Sequence, residues 1–504
     1  MRYMIHISFA VLFASMSTNV PETQADDRPN IILMMGDDHG WEETGYNGHP
    51  YVKTPVLDEM ARTGLRLDRF HSGHSSCSPT RGSFLTGRHP NRYGTFTPGC
   101  SLRPEEITMA QLLKTAGYTT AHFGKWHLGP VKKSSPTNPH EMGFDHYISH
   151  DNFFELNPQF SINGGPPTLF EGESSEILID ETIKFIEQTE SDRKPFLIVV
   201  WFGSPHEPYQ GLPKDLALYD ELPAKYPDQM VRLTSNETGK QTQRPLGDVL
   251  RERYAEITAM DRSIGTLRDY LKQHDLRDNT LLFYCGDNGT PRSGVLSYPL
   301  RNKTLSGQKA QIYSGGTRVP GLIEWPDRIP SPRVSAVNTV TSDLLPTVCE
   351  IANVELPQRP LDGINLVPLL DGKMSERPEP IGFWHYNLRR DSKNDPYIAP
   401  ELQTGTTPLV KLSGGIPTRN FRNYKHPSIS PGDYGGDRSM VDNRYKLILK
   451  GDAEDPKREL YDMREDPAET TNLAEKHPEI ANRLQNTLKE WQDSVLESLT
   501  GQDY

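Results

Sequence analysis

Asp37-Asp38 follows an apolar run at 31–35, and Asp287-Asn288 follows another at 281–285. Four hard oxygen donors at the ends of two apolar runs suit Ca²⁺ better than an ion such as Zn²⁺, which prefers nitrogen and sulfur. Taken singly, each pair is equally at home in a turn or a helix cap. Lys125-Trp126-His127 follows the apolar run 118–123, and Pro205-His206 follows 196–202. A histidine near its ordinary pKa exchanges protons readily around neutrality, although a lone Lys or His is as often a surface charge or a satisfied core residue. Cys77 opens the run Cys77-Ser78-Pro79-Thr80-Arg81. A helix starting there would aim free N–H groups and its positive dipole end at an anion. The plain alternative is a buried cysteine ahead of a short helix.

These groups need elements to hold them. Four apolar runs that stop abruptly at polar residues have the pattern of buried strands in an α/β sheet, with chemistry at the strand ends. Helical spacing separates them: Thr54-Pro55 reads as a cap with proline in the first turn, followed by Leu57, Met60, Ala61 and Leu65. A longer helix is expected through Leu250, Tyr254, Ile257, Ile264, Leu267 and Leu271. Alternation of this kind over about 350 residues predicts a layered α/β domain. A strand at 445–449 and a helix after Pro478, with Ile480, Leu484, Leu488 and Trp491 on one face, close the chain.

With 504 residues the chain has enough length for a large domain and a smaller one. Its 55 Lys and Arg against 67 Asp and Glu leave a formal charge of −12, which argues against a general affinity for nucleic acid or anionic membrane. An anionic substrate must then be captured by a local basic pocket. Arg2, an apolar stretch from 5 to 16 and a small residue at Ala25 ahead of Asp26-Asp27 read as a secretory signal over 1–25. No later run is long enough to anchor the chain in a bilayer. The chain is expected to be exported, to the periplasm or outside the cell, or to lysosomes in an animal. Four cysteines, Cys77, Cys100, Cys285 and Cys349, allow at most two disulfides.

The run from Cys77 to Arg81, continuing through Gly82 to Leu85-Thr86-Gly87-Arg88, resembles the signature of type I sulfatases, in which C-x-P-x-R directs oxidation of the cysteine to formylglycine. The resemblance implies a maturation enzyme as partner and an aldehyde at position 77. Hydrated to a geminal diol, it would offer one oxygen to attack sulfur and a second to expel sulfate. The resemblance also implies that Asp37, Asp38, Asp287 and Asn288 hold Ca²⁺ and that Arg81 steadies the diol. Gly124-Lys125-Trp126-His127-Leu128-Gly129 is similar to the family's G-K-W-H-L-G segment, so Lys125 is expected on the sulfate and His127 as acceptor of the diol proton. Ser204 to Tyr209 resembles P-H-x-P-Y, which gives His206 the leaving oxygen to protonate. Lys309, four residues before Tyr313, fits the second catalytic lysine, with Ala310 where the family carries glycine. Ser149-His150-Asp151 resembles a serine-centred sulfate contact of arylsulfatases, with a turn as the equal alternative.

The implied fold is an alkaline-phosphatase-like domain, a mostly parallel mixed sheet between helices, over 26–375. A C-terminal subdomain with an antiparallel sheet and a helix is expected over 376–504, including an irregular insertion at 385–440. That insertion carries eight basic and five acidic residues and, with Trp384 at its start, the aromatics Tyr386, Tyr397, Phe421 and Tyr424. It is expected either to line a subsite for an anionic sugar chain, through Arg389 and Arg390, or to be a plain surface insertion. The implied reaction is hydrolysis of a sulfate ester, carbohydrate or aryl. A phosphonate or phosphodiester hydrolase of the same superfamily and an inactive glycan-binding homologue are the alternatives.

Overall fold

Ile31, Leu33 and Met35 pack into one buried cluster and Ile32 and Met34 into another, as the two-residue period of a strand buried on both faces requires. This strand is β1 (Asn30–Gly36) of a computed structural model that describes residues 28–190, 194–234, 240–291, 305–386, 394–408 and 420–504. The signal expected at 1–25 and the basic residues Arg389, Arg390, Lys393, Lys411 and Arg419 lie outside the described residues.

Nine further strands complete the main sheet: β2 (Leu65–Leu67), β3 (Thr119–Lys125), β4 (His146–His150), β5 (Gln159–Ile162), β6 (Pro167–Leu169), β7 (Phe196–Trp201), β8 (Thr280–Gly286), β9 (Gly321–Glu324) and β10 (Arg333–Ser335). Their order is β10-β2-β9-β8-β1-β7-β3-β4-β5-β6. The central five, β8-β1-β7-β3-β4, are all parallel, while β9, β5 and β6 run antiparallel to their neighbours.

Helices cover both faces. On one side lie α2 (Cys77–Thr86), α3 (Met109–Thr115) and α6 (Leu344–Ala352), contributing Phe84, Leu85, Met109, Leu113 and Leu345 to the core. On the other lie α1 (Pro55–Thr63), α4 (Ser174–Glu190) and α5 (Leu246–Gln273), contributing Leu57, Met60, Leu178, Met260 and Ile264. The result is the expected layered α/β architecture. One local expectation fails: the Thr54 side chain does not cap α1. Its hydroxyl is taken up by Asp58 and the Gly45 N–H. Asp261 of α5 caps α1 instead, accepting from the Val56 and Leu57 N–H groups at 3.0 and 2.8 Å.

Toward the C-terminus, β11 (Ile381–Trp384), β12 (Arg438–Val441), β13 (Tyr445–Lys450) and β14 (Lys457–Asp462) form a four-stranded antiparallel sheet. Leu484 and Leu488 of α7 (Pro478–Leu499) pack on Met440, Leu447 and Leu460. The insertion leaves this sheet between β11 and β12. All four cysteines are buried and free. Among the described residues, no helix is long and apolar enough to cross a membrane.

Candidate active site

Parallel strands end on the same edge of a sheet, so the loops after β1, β3, β7 and β8 converge. Register sharpens this. Gly36 pairs with Gly286, and the pairing continues beyond the strands: the Asp287 N–H donates to the Gly36 carbonyl at 3.0 Å and the Asp37 N–H to the Ser204 carbonyl at 3.0 Å. Asp37-Asp38 therefore stands beside Asp287-Asn288. The Asp38 N–H donates to Asp287 Oδ1 at 2.8 Å, and Asn288 Nδ2 donates to Asp38 Oδ1 at 2.8 Å.

Helix α2 enters this edge with its first residue, Cys77, after the extended Ser76. Cys77 Sγ lies 3.5 Å from Asp37 Oδ1 and 3.9 Å from Asp38 Oδ1. One turn on, Arg81 stands on the same helix face. Its guanidinium bonds Asp287 Oδ2 at 2.8 Å and the Lys125 carbonyl at 3.0 Å, and packs 5.0 Å from the Trp201 ring centre. Lys125 Nζ pairs with Asp37 Oδ2 at 2.6 Å, and Lys309 Nζ with Asp38 Oδ1 at 2.5 Å. His206 Nε2 is 3.7 Å from Asp38 Oδ2. The side chains of Lys309 and His206 are 20% and 14% exposed, whereas those of Arg81, Lys125 and Asp37 are sealed from solvent. Lys309 and His206 thus mark the open side.

Three carboxylates (Asp37, Asp38, Asp287) meet three cations (Arg81, Lys125, Lys309), and their formal charges cancel. Burial alone would raise the Asp38 carboxyl, but Lys309 and His206 beside it hold it well below the usual range. Asp287 is pushed up to about 6 by burial and by Asp37. Burial also pushes the Cys77 thiol well up, against the pull of Lys125 and Lys309. The cluster fits a hard divalent cation: its donors are oxygens, and Asn288 Oδ1 is buried without a hydrogen-bond partner in the structure. Beside the oxygens of Asp37 and Asp38, Cys77 Sγ and a His206 ring nitrogen also come within 4.8 Å, so a sulfur and a nitrogen stand next to the oxygen donors.

Other expected site residues lie next to this network: Ser149 and His150 pair in register with Gly124 and Lys125 across the sheet. His127 is buried two residues beyond Lys125, at φ 57°, with its ring edge-on to Phe421 at 6.2 Å. Ser149 spends its hydroxyl on His122 Nδ1 at 2.7 Å. The His150 ring lies between the carbonyls of Asn152 and Pro408, and its own carbonyl accepts from the Trp126 N–H at 2.9 Å. Sequence reasoning passed over Phe153, which stacks on His206 at 4.8 Å. It lies two residues beyond Ser149-His150-Asp151, and no spacing marks it out. Phe421 belongs to the insertion, and no sequence spacing marks its approach to His127.

A doubly covered sheet with a basic clamp, carboxylates and a helix-borne residue at one edge defines an alkaline-phosphatase-like hydrolase of anionic esters. The sulfatase family model matches residues 29–354. N-acetylgalactosamine-6-sulfatase of Canis lupus familiaris is 30% identical over 393 residues, covering 70% of this chain and 68% of that protein. The ulvan-active sulfatase of Formosa agariphila is 30% identical over 384 residues, covering 74% and 70%. Among solved structures, Ps i-CgsB matches with a TM-score of 0.72 at 20% identity over 93% of both chains, a likeness of fold. The chain belongs to the type I sulfatase family and is a sulfuric ester hydrolase.

Proposed function

We propose that this sulfatase cleaves the S–O bond of a sulfated carbohydrate, with Cys77 converted to formylglycine and Ca²⁺ held by Asp37, Asp38, Asp287 and Asn288. The observation that carries the proposal is the seat of residue 77, at the start of α2 and within 4 Å of two of those carboxylates. A buried thiol with a raised pKa stays protonated and is a poor nucleophile, so the unmodified side chain suits this position badly. Hydrated formylglycine would supply two geminal oxygens, and Ca²⁺ would supply Lewis-acid polarisation of the sulfate oxygens.

The chain's own residues do the rest. Lys125 and Lys309 bind the sulfate oxygens, Lys309 from the open side. Arg81 fixes residue 77 through its rigid guanidinium fork. His206 gives a proton to the leaving sugar oxygen, and His127 takes one from residue 77 to release sulfate. The names of the two relatives support a carbohydrate substrate. Export fits this substrate class, and a maturation enzyme of the formylglycine-generating kind would be the partner for Cys77.

Peptide mass spectrometry of active protein is expected to show formylglycine at position 77. Removing Ca²⁺ should abolish turnover of sulfated sugars, and restoring it should recover turnover. Unmodified cysteine in fully active enzyme would overturn the nucleophile. Faster hydrolysis of phosphonate or phosphodiester than of sulfate ester would overturn the substrate class.

A further inference from the structure

Arg253 lies on α5, behind the site, with its side chain fully buried. Its five N–H donors make five hydrogen bonds. Nε and Nη2 reach the Glu43 carboxylate at 2.7 and 2.6 Å. Nη2 also bonds the Asp38 carbonyl at 2.7 Å, and Nη1 bonds the Pro205 carbonyl at 2.6 Å and the Tyr209 hydroxyl at 3.2 Å. Glu43 extends the network, accepting from the Thr290 hydroxyl at 2.9 Å and the Gly40 N–H at 3.2 Å. The Thr290 carbonyl in turn accepts from the Lys309 N–H at 3.2 Å. One planar cation thus touches the backbone of Asp38 and of the residue before His206, and through Glu43 and Thr290 it reaches the backbone of Lys309.

We propose that the Arg253–Glu43 pair is a positioning device that fixes the spacing of Asp38, His206 and Lys309 around the sulfate. The proposal rests on the roles given to those residues above. Replacing a buried ion pair by apolar groups is often neutral or stabilising, so stability alone is a weak reason to keep one. A guanidinium can hold carbonyls from two loops in one plane, whereas a lysine ammonium on a flexible stem fixes no such plane. The hydrogen bonds of the pair reach the Asp38 and Pro205 carbonyls rather than the side chains that would touch substrate, and the guanidinium charge also acts on the Asp38 carboxylate.

The test compares Arg253→Lys with Arg268→Lys in the full chain. Arg268 lies on the same helix and pairs with Glu324 and Glu59, away from the site. Thermal melting across a Ca²⁺ titration gives the Ca²⁺ midpoint independently of turnover, and steady-state kinetics on a sulfated sugar gives kcat and KM. Arg253→Lys is expected to raise the Ca²⁺ midpoint and lower kcat by about tenfold to a hundredfold, the usual scale for support of a metal ligand. KM should move by less than about threefold, and Arg268→Lys should lower only the Tm. Equal losses in the two variants at matched Tm, or an unchanged Ca²⁺ midpoint and kcat in Arg253→Lys, would overturn the proposal. If Arg253→Lys does not fold, Tyr209→Phe and Thr290→Val decide: each should raise the Ca²⁺ midpoint at nearly unchanged Tm, and no rise overturns it. A parent protein whose melting ignores Ca²⁺ would count against the metal assignment, and the kcat comparison would then judge the positioning role alone.

Discussion

The role proposed for His206 depends on its tautomer. Its Nδ1 lies against the Glu207 carbonyl, which can only accept, so Nδ1 bears the proton and Nε2 of the neutral ring is a bare lone pair facing Asp38. Burial pushes the ring pKa down to about 3, with Asp38 pulling the other way. The resting ring is therefore neutral at pH 7, and Nε2 must gain a proton before it can give one. Acid catalysis matters most when the leaving group is poor. His206→Gln should accordingly cost about 10² to 10⁴ in kcat/KM on a sulfated sugar. On nitrophenyl sulfate, whose phenolate leaves unaided, the loss should stay below about tenfold; equal losses on both substrates would remove His206 from this role. Cys77, Arg81, Lys125 and His206 stand out in the sequence because they sit in short contiguous motifs, and the fold gathers them at one edge. The tautomer of His206, its Phe153 platform and the hydroxyl partner of Ser149 do not stand out there, because neighbours distant in sequence set them.

At the scale of elements, three functional stretches bend through the left-handed region, at Asp38 (φ 63°), His127 (φ 57°) and Ala310 (φ 65°). An L-residue pays roughly 1–2 kcal/mol there, and such strain concentrates where geometry is imposed by function. The departure from the family's glycine at position 310 thus has a physical meaning. Lys309 precedes a backbone kink, and the Ala310 N–H is tied to the Ser75 carbonyl at 2.7 Å. Ala310→Gly relieves the strain but loosens the unfolded chain by about 0.4–1 kcal/mol. The expected result is a Tm equal to the parent's or a few degrees higher, with kcat unchanged, and a clear fall in Tm would contradict it. Strands and long helices were legible from periodicity, which is a local property. The cap of α1 was not, because Asp261 lies about 200 residues away and no local window contains both partners.

Across the whole molecule, the C-terminal part braces the catalytic layer at several points, two of them close to the site residues. His385, just past β11, shares a 2.7 Å hydrogen bond with Ser75, two residues before Cys77. Glu469 accepts from the Ser314 N–H at 2.8 Å, downstream of Lys309, and pairs with buried Lys446 at 2.7 Å. Glu469→Ala would strand the Lys446 charge, and about 3–5 kcal/mol of stability should be lost in urea unfolding. Adding Lys446→Met should restore most of it; no recovery would mean that Glu469 acts by another route. The two-part architecture was legible in the chain's length and in the family resemblance, whereas these braces depend on tertiary approach. The insertion between β11 and β12 has a different consequence. Trp384 pairs directly with Arg438, so the sheet closes as a hairpin whatever lies between them. Closing a loop ten times longer costs only about 2 kcal/mol more. Strand register is thus independent of the segment's length, but the segment's content is not free: Phe421 stands against His127, the Pro408 carbonyl against His150 and the Thr407 hydroxyl against the Asp151 N–H, so a change of its sequence would alter the surroundings of the catalytic edge while the sheet stays as it is.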